Sequence, residues 1–141
     1  MKKTEQILFN SEQAVPLLGH HLIRNVLMSN LLGKDHENIL YWAGKSIARE
    51  YPQENIEAVI DFFSKVGWGE LSLIKEKKDE INLQLVSPYH KEKITVTYQL
   101  EAGFLAQQME SQKKLMTEAI VQEKKDKVLI TLKWDLKDPT E

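Results

Sequence analysis

Apolar residues follow a helical period in the first half of the chain and a period of two in two later segments. The helical period runs through residues 11–66, whereas residues 69–86 and 115–134 alternate between apolar and polar positions. Charged turns at 76–79 and 123–126 divide each alternating segment into two strands. The pattern predicts three N-terminal helices, a β-hairpin, a further helix and a C-terminal β-hairpin. This order indicates an α+β fold in which a small antiparallel sheet packs on helices.

The first predicted helix, residues 14–32, carries two apolar stripes. At about 100° per residue, one stripe consists of Val15, Leu18, Leu22, Ile23 and Val26. The other consists of Leu17, His21, Met28 and Leu32. We assign the first stripe to the core. Because so short a chain cannot easily bury a helix on every side, we predict that the second stripe is a dimer or partner face.

Three further helices are predicted at residues 36–51, 52–67 and 97–113. Gly44 lies inside the second, where glycine costs about 1 kcal/mol relative to alanine. Glycine is usually kept at such a position because a neighbouring backbone comes close. Gly67 and Gly69 form the turn between the third helix and the first strand, with Gly67 as the C-terminal cap.

Composition fits one α+β domain over residues 1–141, with flexible ends at about 1–10 and 136–141. The 19 basic and 21 acidic residues interrupt one another, which argues against a nucleic-acid partner. The chain contains no cysteine, so disulfides, thiolate zinc sites and cysteine nucleophiles are excluded. Apolar runs are too short to span a membrane, and the first residues lack the apolar core of a secretory signal. We therefore expect a cytoplasmic protein.

Candidate chemistry is sparse. His20 and His21 are adjacent and diverge on a helix, while His36 and His90 are isolated, so no metal site is predicted. No serine stands in a nucleophile motif, and the paired carboxylates fall in charged turns. We expect neither catalytic residues nor a cofactor. The aromatic residues are interpreted mainly as core, and those that could instead line a cavity are Trp42, Phe63, Tyr98 and Phe104.

Three segments carry a family resemblance. Residues 39–49 (ILYWAGKSIAR), 62–71 (FFSKVGWGEL) and 100–106 (LEAGFLA) resemble, in order and spacing, segments of 4-vinyl-reductase-type domains. Within the superfamily that joins these domains to TRAPP subunits and haem-nitric-oxide-binding domains, the chain is most similar to the YslB-like family of uncharacterised Bacillus-type proteins. The resemblance implies a close backbone approach at Gly103 and dimerisation through helices.

The cysteines that hold zinc or an acyl chain in relatives have no counterpart here, and Tyr41, Ala43 and Lys45 do not supply the haem-propionate clamp. The leading hypothesis is a non-enzymatic homodimer that binds a hydrophobic small molecule or a protein partner. The alternative is a haem-type sensor with His20 or His21 as the ligand.

Overall fold

The fold is that of a computed structural model, which describes residues 2–140. Within these residues, seven α-helices and four strands follow one another in the order α1 to α5, β1, β2, α6, α7, β3, β4. The helices are α1 (Lys3–Phe9), α2 (Leu17–His21), α3 (Met28–Leu32), α4 (His36–Glu50), α5 (Ile56–Lys65), α6 (Pro88–Lys91) and α7 (Gln99–Lys113). The strands are β1 (Glu70–Glu76), β2 (Glu80–Val86), β3 (Leu115–Glu123) and β4 (Val128–Pro139).

Helices α2 and α3 are joined by a π-helical segment, Leu22–Leu27, and together form one continuous helix over residues 17–32. We call this the long helix. Gly33 ends it with a φ of 65°, a conformation that glycine adopts without strain. A short 3₁₀ turn, Gly33–Asp35, then leads into α4.

The sheet is antiparallel with the strand order β1-β2-β4-β3. Its inner face is apolar, because alternate residues of the central strands β2 and β4 point to the core. These buried residues are Ile81, Leu83, Leu85, Val128, Ile130, Leu132 and Trp134. On the outer face the hydroxyl of Thr131 donates to Asn82 Oδ1 at 2.9 Å. The predicted α+β class and its hairpin order are confirmed.

Helix α7 is the centre of the molecule. All residues from Leu100 to Met109 are buried, including the polar side chains Glu101, Gln107 and Gln108. Helix α4 crosses α7 so closely that a Cβ on Gly44 would collide with the backbone of Leu100, and a Cβ on Gly103 with the backbone of Tyr41. This crossing brings the backbones of the two helices into direct contact.

The turn between α5 and β1 contains Gly67 (φ 81°) and Gly69 (φ 133°), and a Cβ on Gly69 would meet the backbone of Val86. Regular elements occupy much of both ends that the sequence predicts to be flexible. Phe9 of α1 packs on Tyr51 and Phe62, with ring centroids 6.2 and 5.8 Å apart, and β4 extends to Pro139.

Candidate interaction surface and buried polar cluster

The outward side of the long helix is apolar. Six aliphatic residues on it are between 42% and 68% exposed: Leu18, Leu22, Ile23, Val26, Leu27 and Leu31. We call these six residues the apolar stripe. Arg24 is the only Asp, Glu, Lys or Arg in residues 17–32, and it lies on the other side. The stripe therefore presents an aliphatic surface without charge to the outside of the molecule.

The inward side of the long helix is polar. Arg24 pairs with Glu101 of α7, and the two side chains are only 11% and 3% exposed. Asn25 Nδ2 donates to the Tyr89 hydroxyl at 3.1 Å and lies 3.0 Å from His21 Nδ1. The long helix is thus attached to the rest of the molecule through these hydrogen bonds and the ion pair as well as through the partly buried Leu17, Met28 and Leu32, while the apolar stripe faces outwards.

The core assignment made from the sequence is wrong. The stripe assigned to the core is exposed, from 42% at Val26 to 79% at Val15. The residues predicted for a partner face, Leu17, His21, Met28 and Leu32, are partly buried on the inward side together with Arg24. The periodicity grouped the residues correctly. Their direction is reversed, because the side with His21 and Arg24 is predicted to meet another chain, whereas polar partners on α6 and α7 of the same chain receive it.

The π-helical segment places the residues of the apolar stripe on one side of the long helix. In a straight α-helix Leu31 would lie about 180° around the axis from Leu22, since nine residues separate them. A π turn advances by less than 100° per residue and so rotates the following residues backwards. In the structure both leucines are exposed on the same side as Ile23 and Val26.

A second set of hydrogen bonds joins Ser87, His90 and Tyr98 next to the inward side of the long helix, and we call these three residues the buried polar cluster. The hydroxyls of Ser87 and Tyr98 are 2.6 Å apart, and the Ser87 N–H donates to His90 Nδ1 at 2.9 Å. Burial raises the pKa of Tyr98 and lowers the pKa of His90. Burial also lowers the pKa of His20, and the Arg24 guanidinium lowers it further. Neutral histidine is therefore favoured at both positions in the folded protein.

The space enclosed beneath the long helix is small. It lies between Leu17, His20, Arg24, Trp68, Tyr89, Val96, Tyr98 and Glu101 and has a volume of about 10 Å³, room for about one water molecule. Arg24 Nε is buried there without a hydrogen-bond partner, which such a water could supply. A cofactor needs on the order of 300–1,000 Å³. Haem therefore does not fit in the space beside His20, whereas His21 borders a separate open groove of about 370 Å³.

The structure separates the four residues proposed to line a cavity. Phe63 and Phe104 are fully buried with ring centroids 5.8 Å apart, and Trp68 packs edge-on against both. Tyr98 borders the water-sized space. Trp42 lies apart from the other three: it is 64% exposed on α4, where Lys45 Nζ lies 5.5 Å from the centre of its ring.

A larger groove of about 1,070 Å³ lies between α1 and the α4–α5 region. Phe9, Tyr51 and Phe62 are among the residues that line it, and Lys2, Glu5, Glu50, Asp61 and Lys65 bring charges of both signs. It is open to solvent. Within residues 2–140 no three histidine or carboxylate side chains are arranged to hold a metal ion, and no helix has the length and apolarity needed to cross a membrane.

Comparison with known proteins agrees with the resemblance drawn from the three segments. A family model described as "Protein of unknown function (DUF2507)" matches residues 17–133. "Uncharacterized protein YslB" of Bacillus subtilis (strain 168) is 39% identical over 127 residues, covering 86% of both chains.

Two solved structures share the fold. A vinyl-4-reductase family protein from Methanocaldococcus jannaschii is 21% identical with a TM-score of 0.71, covering 96% of both chains. An Fe(II) unliganded H-NOX protein mutant from K. algicida is 10% identical with a TM-score of 0.57, covering 94% of this chain and 86% of the other.

Proposed function

Because the chain belongs to the DUF2507 family of proteins of unknown function, we propose its role from the chemistry of its own surface: a non-enzymatic homodimeric binding domain. The observation that carries the proposal is the direction of the long helix, which turns its charged and hydrogen-bonding residues towards its own domain and six aliphatic side chains towards the outside. Contact between aliphatic side chains and water is unfavourable, so a surface of this kind favours association with a partner. The protein partner in this proposal is a second copy of the chain.

The size of the apolar stripe supports a second copy. Its six side chains expose on the order of 500 Å² of apolar surface, which equals the apolar share of one side of a standard interface of about 800 Å² per partner. Since the stripe carries no charge, two copies related by a two-fold axis can pack on each other without burying an unpaired ion. Gly19 is exposed on the same helix with no heavy atom within 4 Å of its would-be Cβ, which favours close approach of two helices.

The interior supports a binding role rather than catalysis. The buried polar cluster holds Ser87, His90 and Tyr98, but the enclosed space admits a water molecule and not an organic substrate. A hydrophobic small molecule likewise finds too little room there. The surface of the long helix, and not a cavity, is therefore the site that we assign to the function.

The test is the oligomeric state of the purified full chain by sedimentation velocity over a range of concentrations. We expect a dimer for the wild type and a monomer for Leu22→Glu, because each of two symmetric copies would bury a carboxylate. Ile120→Glu is the matched control, since Ile120 is also 51% exposed but lies on β3, an edge strand. A wild type that stays monomeric at all concentrations, or a Leu22→Glu variant that still dimerises, would refute the proposal.

A further inference from the structure

The long helix could pack on the domain in two ways, with its apolar stripe facing outwards, as in the structure, or facing inwards. Turning the apolar stripe inwards would remove six aliphatic side chains from water within a single chain. Turning the polar side outwards would let His20, His21 and Asn25 bond to water. Burial of apolar surface alone therefore does not explain why the stripe faces outwards.

The ion pair between Arg24 and Glu101 supplies the cause. Glu101 sits within the buried run of α7 and is 3% exposed, so its carboxylate has little access to water. Among the described residues, Arg24 is the only cation that pairs with it. If the long helix turned its apolar stripe inwards, this carboxylate would remain buried and unpaired, which is strongly unfavourable.

We infer that Arg24 and Glu101 are a positioning pair that holds the apolar stripe towards the partner and thereby makes the chain competent to dimerise. The inference rests on the proposed function. A buried ion pair adds little net stability compared with apolar residues of similar size, because both ions lose their hydration. Its effect lies in selecting one packing over another. The hydrogen bond from Asn25 to Tyr89 acts in the same direction, at 3.1 Å.

The experiment replaces the pair by apolar residues in Arg24→Met/Glu101→Leu, so that no buried charge is left alone. The matched control, Arg24→Gln/Glu101→Gln, removes the charges but keeps two polar side chains that can bond to each other. We expect the apolar variant to turn its stripe inwards, raising the dimer dissociation constant at least about tenfold, and the amide variant to stay within about threefold of the wild type. Circular dichroism checks that both fold.

A second measurement reports the orientation itself and does not depend on dimerisation. Because the chain has no cysteine, single cysteines at Leu17→Cys and Leu18→Cys can be labelled with a maleimide without background. Leu18 is 66% exposed and Leu17 is partly buried, so at concentrations low enough for monomers we expect Cys at 18 to react faster. In the apolar variant this ratio of rates should fall by at least about fivefold or reverse, whereas local fraying would raise both rates together.

The outcomes separate the inference from the function on which it rests. A wild type that does not dimerise removes the proposed function, but the labelling ratio still decides whether the pair sets the orientation. An apolar variant that dimerises as tightly as the wild type and keeps the same labelling ratio overturns the inference and leaves the proposed function standing. If the apolar variant does not fold, labelling of the single variant Glu101→Leu decides in its place, because Arg24 would then lose its acceptor: an unchanged ratio overturns the inference, and a lowered one supports it.

Discussion

Removal of Arg24 alone should destabilise the protein strongly, and by an amount that depends on pH. In Arg24→Met the carboxylate of Glu101, 3% exposed, would lose its ion-pair partner. An isolated buried carboxylate takes up a proton rather than stay charged. Holding a proton at pH 7 against the ordinary glutamate pKa of about 4.3 costs about 1.4 kcal/mol per pH unit, or about 4 kcal/mol in total. This agrees with the range of about 3–5 kcal/mol for broken buried pairs.

The sign of the pH dependence follows from proton binding. The variant would bind a proton in the folded state that the unfolded chain does not hold at pH 7, so its stability rises as the pH falls. We expect a loss of about 4 kcal/mol relative to the parent at pH 7 and about 1 kcal/mol at pH 5. Urea unfolding at both values measures it, in a Leu22→Glu parent so that association does not contribute.

The charge-free control for this prediction is Arg24→Met/Glu101→Leu in the same parent, which should recover most of the lost stability at pH 7. A loss under about 1 kcal/mol at pH 7, or a loss that stays the same at pH 5, would show that the pair is not buried as the structure has it.

Three further outcomes are expected. The melting temperature of the wild type should rise with protein concentration, whereas that of Leu22→Glu should not, because association stabilises only the folded state; differential scanning calorimetry measures both. Burial lowers the pKa of His20 in the folded state, so neutral His20 stabilises the folded protein fully above about pH 6.5, and this stabilisation is lost as the pH falls through the folded pKa. His20→Gln should therefore reduce the decrease in the free energy of unfolding below pH 6.5, measured by urea unfolding. A decrease equal to that of the wild type would contradict this expectation. Gly44→Ala should lower the free energy of unfolding by more than about 3 kcal/mol, because its Cβ would collide with the backbone of Leu100. Gly19→Ala has open space around its Cβ and should raise the free energy of unfolding of a Leu22→Glu monomer by up to about 1 kcal/mol.

Much of the fold could be predicted from the sequence, because the change from a helical period to a period of two is a local signal. The strand predicted after the charged turn at 76–79 corresponds to β2 (Glu80–Val86), and the helix predicted at 36–51 corresponds to α4 (His36–Glu50). The glycine of the α4–α7 crossing, Gly44, could be singled out since glycine inside a helix is costly without a close neighbour.

The direction of the long helix could not be predicted, because it depends on a partner that is 77 residues away along the chain. Periodicity shows which residues share a side, but whether Arg24 meets water or Glu101 is decided by tertiary packing. So short a chain is also expected not to bury a helix on every side, yet α7 is buried on every side from Leu100 to Met109. Each of its buried polar side chains makes at least one hydrogen bond; Gln108 Nε2, for example, donates to the carbonyl of Tyr51 at 2.9 Å.

The π-helical segment makes the long helix tolerant of a one-residue deletion in a way that a regular α-helix is not. A π turn corresponds to one residue more than the surrounding α-helix needs. Deleting a single residue between 22 and 27 would leave a regular α-helix in which Leu31 follows Leu22 by eight residues, or about 80° around the axis, so α3 would keep its direction relative to α2. A one-residue deletion in the regular helix α4 would instead rotate the residues that follow it by about 100°. We therefore expect a single deletion in this six-residue segment to preserve the direction of α3, whereas one inside α4 would disrupt its crossing with α7.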